Sequence, residues 1–203
     1  MKMLLPRFDS VAAICYSILG DSRMSWRTVF TAALMCFVTA AYAEVADINA
    51  SGFLIKHEVT VNATPANAYK ALVDEVGGWW NPAHTYSNDA RNLSIDARPG
   101  GCFCEKLPNG GGVQHMSVVY ASPGQVVRMM GALGPLQSSG LAGSMTWKFT
   151  PGPSVTKIEL SYSVGGYLQG GFEKIAPAVD GVVGEQLGRL KTFIETGKPI
   201  LPK

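Results

Sequence analysis

The last segment of the chain constrains its fold most. From Pro177 to Glu195, the apolar residues Val179, Val182, Val183, Leu187, Leu190, Phe193 and Ile194 recur at i, i+3, i+4 and i+7. That spacing lines one side of an α-helix. Glu185, Arg189 and Lys191 take the other side, and Gly197 followed by Pro199 ends the run. At 1.5 Å per residue such a helix is roughly 28 Å long, enough to cross a whole sheet. A stripe of that length needs an equally long apolar surface to lie on. Gly181, Gly184 and Gly188 fall about one turn apart within it. Each glycine costs a helix roughly 1 kcal/mol, so they imply close contact with that surface or room for a ligand beneath the helix.

The surface comes from upstream strands. In "FLIKHEVTVNA", Phe53, Ile55, His57, Val59 and Val61 alternate with Lys56, Glu58, Thr60 and Asn62, the period of a half-buried strand. "TPANAYKALVDEV" follows as a helix with Thr64 as N-cap and Pro65 at its first position. Gly77-Gly78 is expected to stop it, and Trp79-Trp80 comes next. Six strand-like runs follow: "NLSIDA", "CFCEKL", "VQHMSVVYA", "QVVRMMGAL", "SMTWKFT" and "TKIELSYSV". Pro-Gly and Asn-Gly breakers separate most of them. Met145, Trp147 and Phe149, then Ile158, Leu160, Tyr162 and Val164, mark one buried face each, the habit of an antiparallel sheet. The expected fold class is therefore α+β. A curved antiparallel sheet of about seven strands grips a long C-terminal helix, with an internal cavity between them.

Composition narrows the function classes. The chain of 203 residues is 47% hydrophobic and 16% charged, which suits a packed core and not a disordered segment. From Glu44 onward 13 basic residues balance 13 acidic ones, so nothing here points to nucleic acid. Residues 1–43 read as an address. After Met24, a second candidate start, Arg27 precedes an apolar run from Val29 to about Ala41, and Ala41-Tyr42-Ala43 fits a signal-peptidase site. The run is shorter than the roughly 20 residues that span a bilayer. The expectation is a cleaved signal peptide, a cut after Ala43 and a periplasmic or secreted protein with no stable membrane anchor. Residues 44–203 then form one domain. Cys15 and Cys36 leave with the leader, and Cys102 and Cys104 remain, too few for a disulfide scaffold.

The order of elements, with "GGWWNPAHTYS", "RPGGCFCE", "GGVQHMSVVYASPGQVVRM", "GALGPLQSSGLAG", "SYSVGGY" and "IAPAVDGVVGEQLGRLK", resembles the SRPBCC (START-like, helix-grip) superfamily. The nearest likeness is to its bacterial heat-shock ATPase activator-like and polyketide cyclase-like group, over essentially all of residues 53–197. The resemblance implies the helix-grip fold and functions that range from lipid, sterol or hormone binding to polyketide cyclisation and chaperone activation. It carries over no catalytic residues, and an exported protein would not meet a cytosolic chaperone.

Three sites are open at this level. Trp79 and Trp80 are neighbours that cannot easily share one environment, so one is expected to seal the core and the other to frame a cavity mouth, with His84 near it. If Asn109-Gly110 makes a two-residue hairpin turn, Cys104 faces His115, and Cys102, Cys104 and His115 share a sheet face as a soft-metal set. The one-residue gap between the cysteines is short for zinc, a disulfide between them is expected to fit poorly, and small polar residues lining a wall are the plainer reading. A one-residue slip puts Glu105 opposite His115 instead, an acid/base pair for a cyclase, dehydratase or isomerase. His57 reads as a core histidine. There is no G-x-S-x-G, phosphate loop or HExxH, so no cofactor is expected, and nothing signals oligomeric state. The reading favoured by the sequence is binding of a small hydrophobic ligand, lipid or polyketide-like. The expected wall is Trp79, Trp80, His84, His115, Met129, Trp147, Tyr162 and Tyr167. A protein-interaction module using the outer sheet face is a third alternative.

Overall fold

A computed structural model describes residues 45–198. The expected leader and its cut after Ala43 lie outside the described residues. Eight strands form one open antiparallel sheet in the order β1-β2-β8-β7-β6-β5-β4-β3. They are β1 (Val45–Asn49), β2 (Gly52–Val61), β3 (Leu93–Ile95), β4 (Cys102–Lys106), β5 (Gly112–Ser122), β6 (Val126–Met130), β7 (Gly140–Pro151) and β8 (Thr156–Tyr167). Every strand read from the sequence is present. β1 is additional: it pairs back on β2 through a two-residue turn and covers an edge that β2 would otherwise expose.

 That turn is Ala50-Ser51, where Asn49 accepts a hydrogen bond from the Ser51 amide.

The centre of the sheet is regular. β2 and β8 pair without a break from Gly52↔Gly165 to Val61↔Thr156, and β7 and β8 from Gly140↔Tyr167 to Pro151↔Thr156. Strict alternation then sends Phe53, Ile55, Met145, Trp147, Phe149, Ile158, Leu160, Tyr162 and Val164 to one face, and all are buried.

Helix α1 (Pro65–Asp74) starts as expected, with the Thr64 hydroxyl accepting from the Asn67 amide at 3.3 Å. Gly77 and Gly78 do not stop it. Helix α1 ends before Glu75, and both glycines lie inside a second short helix, α2 (Val76–Trp79). They are there for close approach: a Cβ on Gly78 would stand 3.1 Å from the Phe193 ring, and one on Gly77 would stand 3.0 Å from the Ala90 carbonyl oxygen.

Helix α3 (Ile175–Thr196) lies on the concave face, and Gly197 caps it with φ of 70°. It begins two residues earlier than its apolar period suggests, with Pro177 in the first turn, where no amide partner is needed. Arg189 is not on the wet side. It is buried with Asp180 and Gln186, and the reason lies in the backbone just past α2. Arg189 Nε donates to the Trp79 carbonyl at 2.8 Å, and Gln186 Oε1 accepts from the Asn81 amide at 2.9 Å. Buried backbone polar groups need partners, and α3 supplies them with side chains. Of the three helix glycines only Gly184 has a packing reason, since a Cβ there would come within 3.0 Å of the His57 ring. Gly181 and Gly188 face open space.

The β4–β5 pair is irregular. Its connection is not a two-residue turn but a longer loop with a 3-10 turn at Pro108–Gly110, where Asn109 and Gly110 take φ of 62° and 81°. Cys102↔Ser117 and Phe103↔Met116 follow one register, and Cys104↔Gln114 and Glu105↔Val113 follow another. The extra residue between them is His115, a β-bulge. A bulge re-aims a side chain, and here His115 and its neighbour Met116 are both buried.

Candidate functional site

A pocket of about 430 Å³ lies between the N-terminal half of α3 and this irregular side of the sheet. Val179, Val182 and Val183 of α3 form one wall. Leu133 to Leu136, the loop before β7, forms the opposite wall, and Ala83 to Tyr86 the rim. Phe103 and His115 are the contributions of the strands, and Trp80 closes one side. The pocket therefore lies between sheet and helix, as the sequence suggested, but toward one end. It sits at one end of the helix, with the exposed Tyr86 and part-exposed His84 at its edge.

The Trp79-Trp80 pair divides between the core and the pocket. Trp79 is fully buried, donates from Nε1 to the Ala71 carbonyl at 3.0 Å, and meets Trp147 edge-on at 6.2 Å. Trp80 donates to the His84 carbonyl at 3.0 Å and turns its ring toward Phe103, 5.3 Å away. Each indole thus has its N–H satisfied, and only Trp80 reaches the pocket. His84 Nε2 stands 3.1 Å from a Glu185 carboxylate oxygen, tying the rim to α3.

Glu105 and His115 form the polar centre. His115 Nε2 and Glu105 Oε2 are 2.9 Å apart, with both side chains buried. Glu105 also accepts from the backbone amides of Tyr86 and Ser87. Burial raises the Glu105 carboxyl, but hydrogen bonds from Ser87, Tyr86 and His115 outweigh it, so it lies below the ordinary glutamate value. Burial pushes the His115 imidazole below its ordinary value, and Glu105 opposes this only in part. At neutral pH the pair is a carboxylate holding a neutral imidazole. A carboxylate has no proton to give, so Nε2 carries the hydrogen.

Several sequence candidates stand elsewhere. Trp79, Met129, Trp147 and Tyr162 do not line the pocket; they are core residues on the regular strands. The Tyr162 hydroxyl accepts from the Leu133 amide at 3.1 Å, and burial raises it to about 12. Tyr167 is 76% exposed at the end of β8. The set Cys102, Cys104 and His115 is not brought together. On β4 the buried residues are Phe103 and Glu105, so the cysteines face the other way, and the bulge turns His115 to the buried side. The cysteines are bonded to each other as a disulfide, contrary to expectation. Their Cα atoms are 5.4 Å apart, within the range a disulfide spans.

His57 stands 2.9 Å from Asp180 of α3, beside the gap left by Gly184. Sequence reasoning missed Tyr86, Phe103, the 133–136 loop and the start of α3. Gly134-Pro135 in "GALGPLQSSG" was the available signal, since that dipeptide marks a loop and not a strand end.

No protein-family model matches the chain, and no curated protein matches it in sequence. Solved structures do share its fold. A conserved protein of unknown function, EF2215 from Enterococcus faecalis, matches at a TM-score of 0.55 and 15% identity, over 75% of this chain and 77% of that one. The Aha1 dimer from Colwellia psychrerythraea matches at 0.53 and 21% identity, over 71% and 98%. DynU16, from the dynemicin biosynthetic locus, matches at 0.52 and 18% identity, over 72% of this chain and 48% of that one, so the chain spans about half its length. These likenesses show the helix-grip architecture, one antiparallel sheet with a long C-terminal helix.

Proposed function

We propose that the protein is an exported SRPBCC-like domain, akin to the polyketide cyclase-like and heat-shock ATPase activator-like group, that binds a small hydrophobic ligand in the pocket against α3. The observation that carries this is the lining. Valine, leucine, isoleucine and aromatic side chains surround the space, with His115 as a buried polar group at its base. A concave apolar site with few placed polar groups is the common form of a small-molecule site. Lipid-like and polyketide-like molecules both fit that chemistry. The leader pattern at Met24–Ala43 supports export.

The Glu105–His115 pair also supports a second reading, a cyclase, dehydratase or isomerase. Such an enzyme needs two titratable groups converging on the substrate. Glu105 does not line the pocket and is engaged by His115, Tyr86 and Ser87. Binding is therefore the stronger reading. Native mass spectrometry of the purified protein, followed by organic extraction, tests it. A co-purifying apolar molecule is expected, retained less well by Trp80→Ala than by His84→Ala. An empty wild-type protein that also takes up no added apolar probe would overturn the reading.

A further inference from the structure

The pocket also has a polarity that says what kind of head group it accepts. The hydroxyl and indole hydrogens of its side chains are already committed within the protein. The Tyr86 hydroxyl donates to the Gly134 carbonyl at 3.0 Å, the Thr85 hydroxyl to the Pro82 carbonyl at 2.7 Å, and the Trp80 indole to His84. Among the described lining residues there is no lysine or arginine. The charges held against the lining, Glu105 behind His115 and Glu185 beside His84, are both negative. An anionic head group, such as a fatty-acid carboxylate, would meet no cation and face like charge.

What remains is an acceptor. Since Nε2 of His115 gives its hydrogen to Glu105, the lone pair of the neutral ring is on Nδ1, and no described residue donates to that nitrogen. Two aromatic rings flank the imidazole, with Phe103 at 5.0 Å and Tyr86 at 6.0 Å between ring centres. We propose that the pocket selects an uncharged, ring-containing ligand bearing a hydroxyl donor, a phenol or similar alcohol, and that His115 Nδ1 accepts its hydrogen bond. This rests on the ligand-binding reading above and narrows its substrate class. His115 is the residue that sets specificity, and Glu105 is a positioning residue that fixes the tautomer.

The test uses three naphthalenes of similar size: 2-naphthol, its methyl ether and 2-naphthoate, each titrated into the purified protein by calorimetry at neutral pH. The naphthol is expected to bind about tenfold more tightly than the ether, the worth of one buried hydrogen bond, and the naphthoate most weakly. In His115→Phe the naphthol and the ether are expected to bind equally, with the affinity of the ether changed less than about threefold. Equal binding of naphthol and ether to the wild-type protein, or tightest binding of the naphthoate, would overturn this proposal and leave the pocket reading standing. Failure of all three to bind would overturn both. The wild-type comparison decides the matter even if the variant does not fold.

Discussion

The two sides of the sheet do different work. On one side, β2, β8 and β7 pair without a single slip over their whole length. On the other, the register shifts between β4 and β5 and again between β5 and β6. The regular side is packed: Trp147, Leu160 and Tyr162 are buried on its concave face, and none of them lines the pocket against α3. The irregular side is not, because the ladder slips on both edges of β5 and its neighbours β4 and β6 are only five residues long, and the pocket lies there. The bulge at His115 shows how. By adding one residue to β5, it turns a histidine inward beside a methionine that alternation had already placed there. A regular ladder builds stability, and an interruption in it builds a site.

The largest effect should come from the regular side. Trp147→Ala is expected to cost about 4 kcal/mol in chemical denaturation, since it empties a large buried volume. A cost below about 1 kcal/mol would mean that this side is not the structural half. On the irregular side, Glu105→Ala removes the acceptor of His115 and of two backbone amides. It is expected to cost about 3 kcal/mol, since three partly or fully buried donors lose their acceptor, and to raise amide exchange at Tyr86 and Ser87. Unchanged exchange there would detach Glu105 from the rim.

Acid should expose the same difference. His115 is held below its ordinary value in the folded protein, so below about pH 6.5 the unfolded chain takes up a proton that the folded one refuses. Stability therefore falls as pH drops through that range. The Glu105 carboxyl is also held below its ordinary value. Its contribution is present above about pH 4.5 and is lost as pH falls through its lower folded value. Thermal melts from pH 8 to pH 4 should show a decline that Glu105→Gln combined with His115→Gln flattens. A parallel decline in that double variant would place the acid sensitivity elsewhere. The smallest effect is reserved for the outer face of β4. Replacing both Cys102 and Cys104 with serine opens a bridge between positions only two apart. So short a loop constrains the unfolded chain little, and the cost is expected to stay below about 2 kcal/mol.

The same division governs what the sequence made legible. Alternation in "SMTWKFT" and "TKIELSYSV" named the buried residues of β7 and β8 because nothing interrupts their period. It could not place His115, since a bulge breaks the count on which alternation depends. The register that a two-residue turn at Asn109-Gly110 implies holds for Cys102↔Ser117 and Phe103↔Met116 and fails at Cys104, which faces Gln114 and not His115. The disulfide was missed for the same reason, because regular strand spacing was assumed where the Cys102 and Cys104 Cα atoms stand only 5.4 Å apart, beside the register shift. Trp147 and Tyr162 were assigned to the wall from their faces alone, yet a concave face holds both the core and the pocket. Periodicity tells which side of a strand is dry, not how far the helix reaches along it. Arg189 read as wet because its partner, the carbonyl of Trp79, is distant in sequence and invisible to a helical period.

The central claim is that an apolar ligand enters on the irregular side alone. Titrating an uncharged naphthalene probe into isotopically labelled protein, and following the indole and imidazole signals by NMR, tests it most directly. The Trp80 indole and the His115 ring are expected to shift together, with the Trp147 indole and the β8 amides around Leu160 unmoved. Shifts centred on Trp147 and β8, with Trp80 and His115 unmoved, would contradict the account.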